Sequence, residues 1–340
     1  MKLGVADSLV ECGLLWRMLV VLLLLACSAN VHATLREANA TVEDVLAALH
    51  RIPEAPRAVP CQAGGLRVPD GGHLQGIQQA EIERRPFIVM SGSASAESYL
   101  VLLALERSGA QVAALKPLLP RPFKHAGGLQ VCGDYLAVGI EDDDRKVVSK
   151  VWILRLPELL RAGPLEPAIE IERHGAYERA TAGAVALAKV GDRHVLCVGT
   201  WDSATIDFYR SNGKALSDSD CRFELRESWD AKKADRSSWS DGDYASYQNL
   251  NLVVERSDRV FLIGFANAGG ADAADVFHVA LEAAVPVERR LQKVHRCALR
   301  GREASFRHGA GLTVVDTETL AILSCGYREF VIERFGPAHP

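Results

Sequence analysis

From residue 66 onward apolar and polar side chains alternate with a period of two, in short runs separated by clusters of Gly, Asp, Asn and Ser. Side chains on a strand point alternately to opposite faces, so this spacing predicts half-buried β-strands throughout. One early stretch breaks the rule. "TVEDVLAALHRI", residues 41 to 52, has helical spacing of its apolar positions, which predicts a short helix capped by Thr41. The prolines of "PEAPRAVP" then end it.

The strand pattern repeats on a longer scale. "HLQGIQ" at 73, "HAGGLQ" at 125 and "HGAGLT" at 308 share one spelling: His, two residues, Gly, an aliphatic residue, a polar residue. "TAGAVA" at 181 and "SYQNLN" at 246 fit the same frame, with Thr or Ser for His and Ala or Asn for Gly. A recurrence of roughly fifty to sixty-five residues containing about four strands is that of a β-propeller blade. Five starts predict one five-bladed β-propeller over residues 64–340, after a leader at 1–33 and a helix with linker at 34–63. The last repeat carries three strands, so an N-terminal segment must close the ring, and "GGLRVP" at 64 to 69 is the expected one. The frame glycines Gly76, Gly128 and Gly311 then stand beside the axis, where neighbouring backbones approach too closely for a side chain.

Residues 17 to 33, "RMLVVLLLLACSANVHA", place a basic residue before an apolar stretch that ends in small residues. That is the form of an export signal, and it is too short to cross a bilayer. "VHA" before Thr34 suits ordinary cleavage, whereas "LLAC" ending at Cys27 resembles a lipobox that would leave a lipid anchor. The expected location is therefore exported: periplasmic, secreted or anchored to an outer membrane. Cys61, Cys132, Cys197, Cys221, Cys297 and Cys325 remain after cleavage, an even number that predicts disulfides in an exported chain. Cys132 and Cys197 also read as small buried residues within strands. The net charge of -4 provides no basic field, which removes nucleic acid from the expected partners.

Candidate chemistry falls into three groups. If the frame holds, His73, His125 and His308 converge at one mouth of the channel, where three imidazoles could take a divalent metal. Glu141, Asp202 and Asp241 lie in acidic loops at predicted blade ends, where carboxylates from different blades could act as acid and base on a glycan. Trp201, Trp239 and Tyr247 are the aromatic candidates for ligand contact. "DGDYAS", 241 to 246, alternates oxygen ligands as a calcium loop would but lacks the full EF-hand spacing. The long insertion at 229 to 246 is expected to overhang the mouth. No spelling of a hydrolase nucleophile elbow, zinc protease, phosphate loop or dinucleotide site stands in the right context.

"HAGGLQVCGDYLAVGIED" with "YQNLNLV", "RVFLIGF" and "ADVFHVAL" resembles a group of exported bacterial proteins of propeller type to which no activity is assigned. The resemblance covers most of residues 70 to 336 and implies the fold; this chain departs from the pattern at Thr181 and Ser246, and no catalytic residue carries over. Two function classes follow from the sequence. The first is an exported propeller binding a small ligand, a glycan or an envelope protein at its mouth; the second is a glycan-active hydrolase on the same scaffold.

Overall fold

Period-two alternation buries one face of each strand against each neighbouring blade, and the computed structural model, which describes residues 41–337, shows five sheets arranged that way. The first blade runs His73–Ile82, Arg85–Ser93, Glu97–Glu106 and Gly109–Pro120 from axis to rim. The second runs His125–Cys132, Tyr135–Glu141, Val148–Arg155 and Ile169–His174. The third comprises Ala184–Val190, Arg193–Gly199, Thr205–Ser211 and Phe223–Asp230, and the fourth Asn249–Glu255, Val260–Ala268, Ala271–Val279 and Leu291–Leu299. The fifth has Gly309–Asp316, Thr319–Cys325 and Ile332–Phe335. Successive strands within each blade are antiparallel.

Five apolar clusters fill the gaps between consecutive blades, including the gap between the fifth and the first. The last cluster joins Leu323, Cys325 and Ile332 to Leu74, Met90 and Val101, so the ring is closed. Its fourth outer strand is Arg57–Val59, antiparallel to Ile332–Phe335, and not residues 64 to 69. Gly64 and Gly65 both take left-handed backbone, which makes that segment a turn. Pro56 and Pro60 flank the closing strand, and an edge position tolerates them because the missing N–H faces no partner.

The preceding segment is built into the ring as well. Thr41–Val42 pairs in parallel with the inner strand of the fourth blade, and Cys61–Gln62 with the outer strand of the first. A helix, α1, spans Val45–His50; Asp44 rather than Thr41 caps it, accepting from Ala47 N–H at 2.9 Å. Val45, Ala48 and Leu49 join Phe306 and Phe335 in the apolar cluster between the fourth and fifth blades. None of the six cysteines is in a disulfide; Cys132, Cys197, Cys221 and Cys325 are buried within the sheets and loops, correcting the expected cross-links. The leader and its Cys27 lie outside the described residues.

The axis is sealed by side chains rather than open. Gln78 donates to Leu312 O and accepts from Val131 N, so it ties the first blade to the fifth and second. Gln130 donates to Leu252 O at 2.8 Å and accepts from Leu187 N at 2.9 Å and Leu252 N at 2.8 Å, joining the second blade to the third and fourth. Asn251 donates to Leu129 O and accepts from Leu312 N at 2.6 Å. These are the polar residues that close the recurring six-residue frame. Inner strands have an unpaired edge facing the axis, and the amides supply the missing partners.

The frame glycines have the predicted reason. A Cβ on Gly311 would sit 1.8 Å from Ile77 O of the next blade, and one on Gly76 would sit 2.9 Å from Leu129 N and 3.1 Å from Gly128 Cα. Neighbouring inner strands could not approach so closely with a side chain at either position.

Candidate functional site

Outer strands end on the same face at which inner strands begin, so the inter-blade connections and the first frame residues share one end of the ring. Side chains clamp these connections from blade to blade. Glu141 Oε1 accepts from Ala182 N at 2.6 Å, Ser203 Oγ donates to Tyr247 O at 2.8 Å, and Asp272 Oδ1 accepts from Phe306 N at 3.0 Å. The mouth is therefore held by buried hydrogen bonds rather than by loop packing alone.

Two β-bulges shape it. The ladder slips between Leu74 and Ile77 in the first blade and between Ala126 and Leu129 in the second. A bulge re-aims the side chains around it. Gln75, in the first bulge, reaches two imidazoles: its Nε2 lies 3.1 Å from His73 Nε2 and 3.0 Å from His125 Nε2. On its other side His125 meets Glu141, with Nδ1 at 3.0 Å from Oε2, and both side chains are buried.

An arc of five rings results. Trp201 lies 6.0 Å from His125 between ring centroids, His125 5.5 Å from His73, His73 4.9 Å from Tyr327, and Tyr327 4.5 Å from His308. The arc runs from the third blade through the second and first to the fifth. Tyr327 is exposed, and Lys146 Nζ stands 3.6 Å from the Trp201 ring centroid. Tyr177 extends the rim beyond Lys146, strongly exposed.

The imidazoles differ in charge. Burial, with the neighbouring His125, lowers the His73 pKa to about 4, so that ring is neutral at pH 7. His308 is also lowered, by burial and then by Arg307. Burial pushes His125 down too, but the Glu141 carboxylate against its ring and the nearby Asp143 outweigh it, and its pKa is raised. The ring against the Glu141 carboxyl group is thus the more basic one, and it stands beside a ring held neutral.

The frame brings His73, His125 and His308 to one mouth, but not as a metal centre. Tyr327 lies against both His73 and His308, and Gln75 takes up the facing nitrogens of His73 and His125. Among the described residues no group of three or more His, Cys, Asp or Glu is placed to hold a metal ion.

The carboxylates separate. Glu141 is at the mouth but fully buried behind His125. Asp202 is also there, in a tight turn with φ of +56°, its Oδ1 accepting from Gln248 Nε2 at 2.5 Å. Asp241 is elsewhere, held by Lys293 Nζ at 2.6 Å. The long insertion does not overhang the mouth: Ser240 N donates to Lys293 O and Trp239 Nε1 to Leu291 O, so it runs down along the outer strand of the fourth blade. Trp239 accordingly packs on Phe277, and Tyr247 is buried with its hydroxyl on Asp275 Oδ2 at 2.6 Å. These two aromatics join the core between the third and fourth blades, leaving Trp201 as the sequence-derived aromatic that reaches the mouth. Nor is 241–246 a calcium loop, because the Lys293 ammonium sits on Asp241 Oδ1 and, at 3.0 Å, on Asp243 O, where a cation would bind.

Sequence reasoning missed Gln75, Lys146 and Tyr327. Gln75 was visible as a polar residue inside a strand start, but only the bulge turns it onto the histidines. Tyr327 follows a strand of the incomplete last repeat, in a connection with no counterpart in the recurring spelling.

No protein-family model matches the chain, and no curated protein sequence does. Solved structures do match in architecture. The GH43_1 enzyme from Xanthomonas citri aligns over 87% of this chain and 93% of its own, at 9% identity and a TM-score of 0.46. The same enzyme complexed with xylotriose aligns over 81% and 90%, at 10% identity and a TM-score of 0.45. The catalytic domain of the Coprinopsis cinerea GH62 alpha-L-arabinofuranosidase aligns over 84% and 96%, at 9% identity and a TM-score of 0.43. The chain is thus similar to propeller enzymes in its course through space, and at these scores that likeness bears on neither activity nor ligand.

Proposed function

We propose that this is an exported propeller that binds a glycan-like ligand at the mouth of its ring. The observation that carries the reading is the arc from Trp201 to His308. A sugar offers apolar C–H faces together with hydroxyls, and it is matched by ring surfaces interleaved with groups that donate and accept hydrogen bonds. The exposed Tyr327 supplies a ring edge, the neutral His73 and His308 supply polar ring atoms, and Lys146 adds a donor. The apolar run in the first thirty-three residues supports export.

Titration calorimetry with a panel of pentose and hexose oligosaccharides tests the proposal. Wild type should bind at least one member, and Tyr327→Ala and Trp201→Ala should each weaken it about tenfold or more. Binding to none of the panel, or binding indifferent to both substitutions, would overturn it.

One observation favours the second reading, hydrolysis. His125 is oriented by a buried carboxylate, as a general acid or base commonly is, and Asp202 stands at the same mouth. Reducing-end release separates the two. A hydrolase should lose turnover with Glu141→Gln or Asp202→Asn, whereas a binder should show no turnover and keep ligand capture in Asp202→Asn. Asp241→Asn serves as the distant control.

A further inference from the structure

One amide atom sits between two imidazoles. Gln75 Nε2 stands 3.1 Å from His73 Nε2 and 3.0 Å from His125 Nε2. Gln75 and His125 are buried, and His73 is partly exposed. An amide NH2 group carries two hydrogens and accepts none. Facing both rings it donates one hydrogen to each, and both Nε2 atoms must then be bare. Turned over, Oε1 takes the same place and accepts one hydrogen from each, and both Nε2 atoms must then be protonated. A mixed pair would oppose two donors or two acceptors at one of the contacts. The two amide orientations have the same shape and differ only in hydrogen bonding. On the far side of the amide Oε1 has no partner among the described residues, so nothing there holds it in one orientation.

His125 decides between them. Its Nδ1 lies 3.0 Å from Glu141 Oε2 with both side chains buried, and a bare nitrogen there would oppose its lone pair to a carboxylate. A proton therefore stays between the two. When the His125–Glu141 pair holds that proton alone, His125 Nε2 is bare and the amide shows its NH2. When the pair takes a second, Nε2 carries it and the amide shows its oxygen. The charged and titratable groups facing the two rings are Glu141, Asp143 and Lys146 from the second blade, and His308, Tyr327 and Arg328 from the fifth. Cys325 donates to the backbone oxygen of Gln75 and leaves its amide free to turn. Burial and Lys146 lower the pH at which His125 takes its second proton, and Glu141 and Asp143 raise it. These groups set where the change falls; the amide sets what it does to His73.

We propose that Gln75 is a positioning residue that matches the two rings, so that a proton taken up by the His125–Glu141 pair moves the proton of His73 from Nδ1 to Nε2. The balance is one proton from solvent: His125 Nε2 gains it, while His73 gives one to water at Nδ1 and takes one from water at Nε2. Burial keeps His73 neutral down to about pH 4, so it has a single proton to place. Its Nε2 is taken up by Gln75, and its Nδ1 has no hydrogen-bond partner among the described residues. That nitrogen offers a hydrogen while His125 is neutral and accepts one once His125 is charged. The polarity of the mouth at His73 thus follows the protonation of a buried pair. This goes beyond the glycan reading and does not rest on it.

Two-bond proton–nitrogen correlation of the imidazoles in the ligand-free full chain, from about pH 9 to 5, tests the matching, with His73→Phe and His125→Phe for assignment. Above the His125 titration both rings should carry their proton on Nδ1. Below it both should carry one on Nε2, and the change at His73 should share the His125 midpoint. Glu141→Gln removes the carboxylate that favours the charged ring and should move both curves down together. Gln75→Met, close in size, should leave His73 in one tautomer while His125 titrates. Gln75→Glu, whose carboxylate only accepts, should hold a proton on both Nε2 atoms throughout, which a role in packing alone would not produce. Unlike Nε2 states on the two wild-type rings at any pH would overturn the proposal, whether or not His125 titrates in the range. So would a coupled change that survives in Gln75→Met. Because no sugar is present, the result stands apart from the fate of the glycan reading.

Discussion

Replacing Gln130 with Met tests whether the amide belt holds the ring together. Met has nearly the same length and fills the same space, so the change removes polar atoms without opening a cavity. Three backbone groups lose their partner: Leu187 N–H, Leu252 N–H and Leu252 C=O, each now bonded at 2.8 to 2.9 Å. The surrounding strands bury them completely, and each unpaired buried group costs about 1–3 kcal/mol. The loss should be roughly 3–9 kcal/mol, a large part of the 5–15 kcal/mol that holds an ordinary domain. Gln78→Met strands two groups and should cost about two-thirds as much; Thr313→Val removes one long bond, from Gln79 N at 3.3 Å, and should cost about 1 kcal/mol or less. Urea unfolding followed by tryptophan fluorescence gives the three values, with the slope checked for constancy. If Gln130→Met costs less than about 1 kcal/mol, or if Thr313→Val costs more than it, the belt does not carry the load assigned to it.

Other consequences are sharper in sign than in size. The folded chain holds His73 near pKa 4 against 6.5 when unfolded, so the unfolded chain takes up a proton first, and stability should fall as pH drops from about 6.5 toward 4. The full effect is up to about 3 kcal/mol, less what solvent screening removes from a partly exposed ring, and His73→Phe should flatten that limb of the unfolding profile. His125 works oppositely: its raised pKa gives stability that is present below 6.5 and lost as pH climbs through the folded value, which the imidazole proton shifts of wild type and Glu141→Gln would reveal. Gly311→Ala, with its Cβ 1.8 Å from Ile77 O, should destabilise by about 3 kcal/mol or more or prevent soluble expression, whereas Gly183→Ala should melt like wild type. Lys293→Met leaves Asp275 buried without one of its cations and should cost about 3 kcal/mol in chemical unfolding.

The five-bladed architecture was legible because two periods coincide in the chain. Alternation at two residues marks the strands, and the recurring frame marks the first strand of each blade, as His73, His125 and His308 show. Closure was harder to place. Arg57–Val59 is a three-residue strand between two prolines, too short for alternation to register, while the neighbouring "GGLRVP" has a strand-like apolar pattern but two left-handed glycines. The candidate site was legible only in part. His73, His125, His308, Glu141, Asp202 and Trp201 all reach the mouth, since position in the repeat dictates position around the axis. Asp241, Trp239 and Tyr247 did not, because an insertion has no repeat position, and its apolar rings found the gap between two blades more favourable than solvent. The cysteine count misled for a different reason: parity carries no distance, and these residues are spread around the ring as small apolar side chains.

The recurring frame also divides its work by position, and that division explains why the mouth is asymmetric. Fourth and sixth residues face neighbouring inner strands, so they must be small or must bridge: Gly76, Gly128 and Gly311 admit the adjacent backbone, and Gln78, Gln130 and Asn251 satisfy it. First residues face the mouth and answer to local needs. In the third blade Thr181 accepts from Trp201 N at 2.7 Å and donates to Glu178 O at 2.7 Å, so the slot that holds an imidazole in three blades is used there to fix the tryptophan turn. In the fourth, Ser246 is exposed, and the inward place passes to Gln248, which holds Asp202. Imidazoles therefore line one side, while a tryptophan and a carboxylate–amide pair stand on the other. A symmetric ring of five histidines would present the same face to a ligand in five orientations. This mouth distinguishes them, as the proposed glycan reading requires of it.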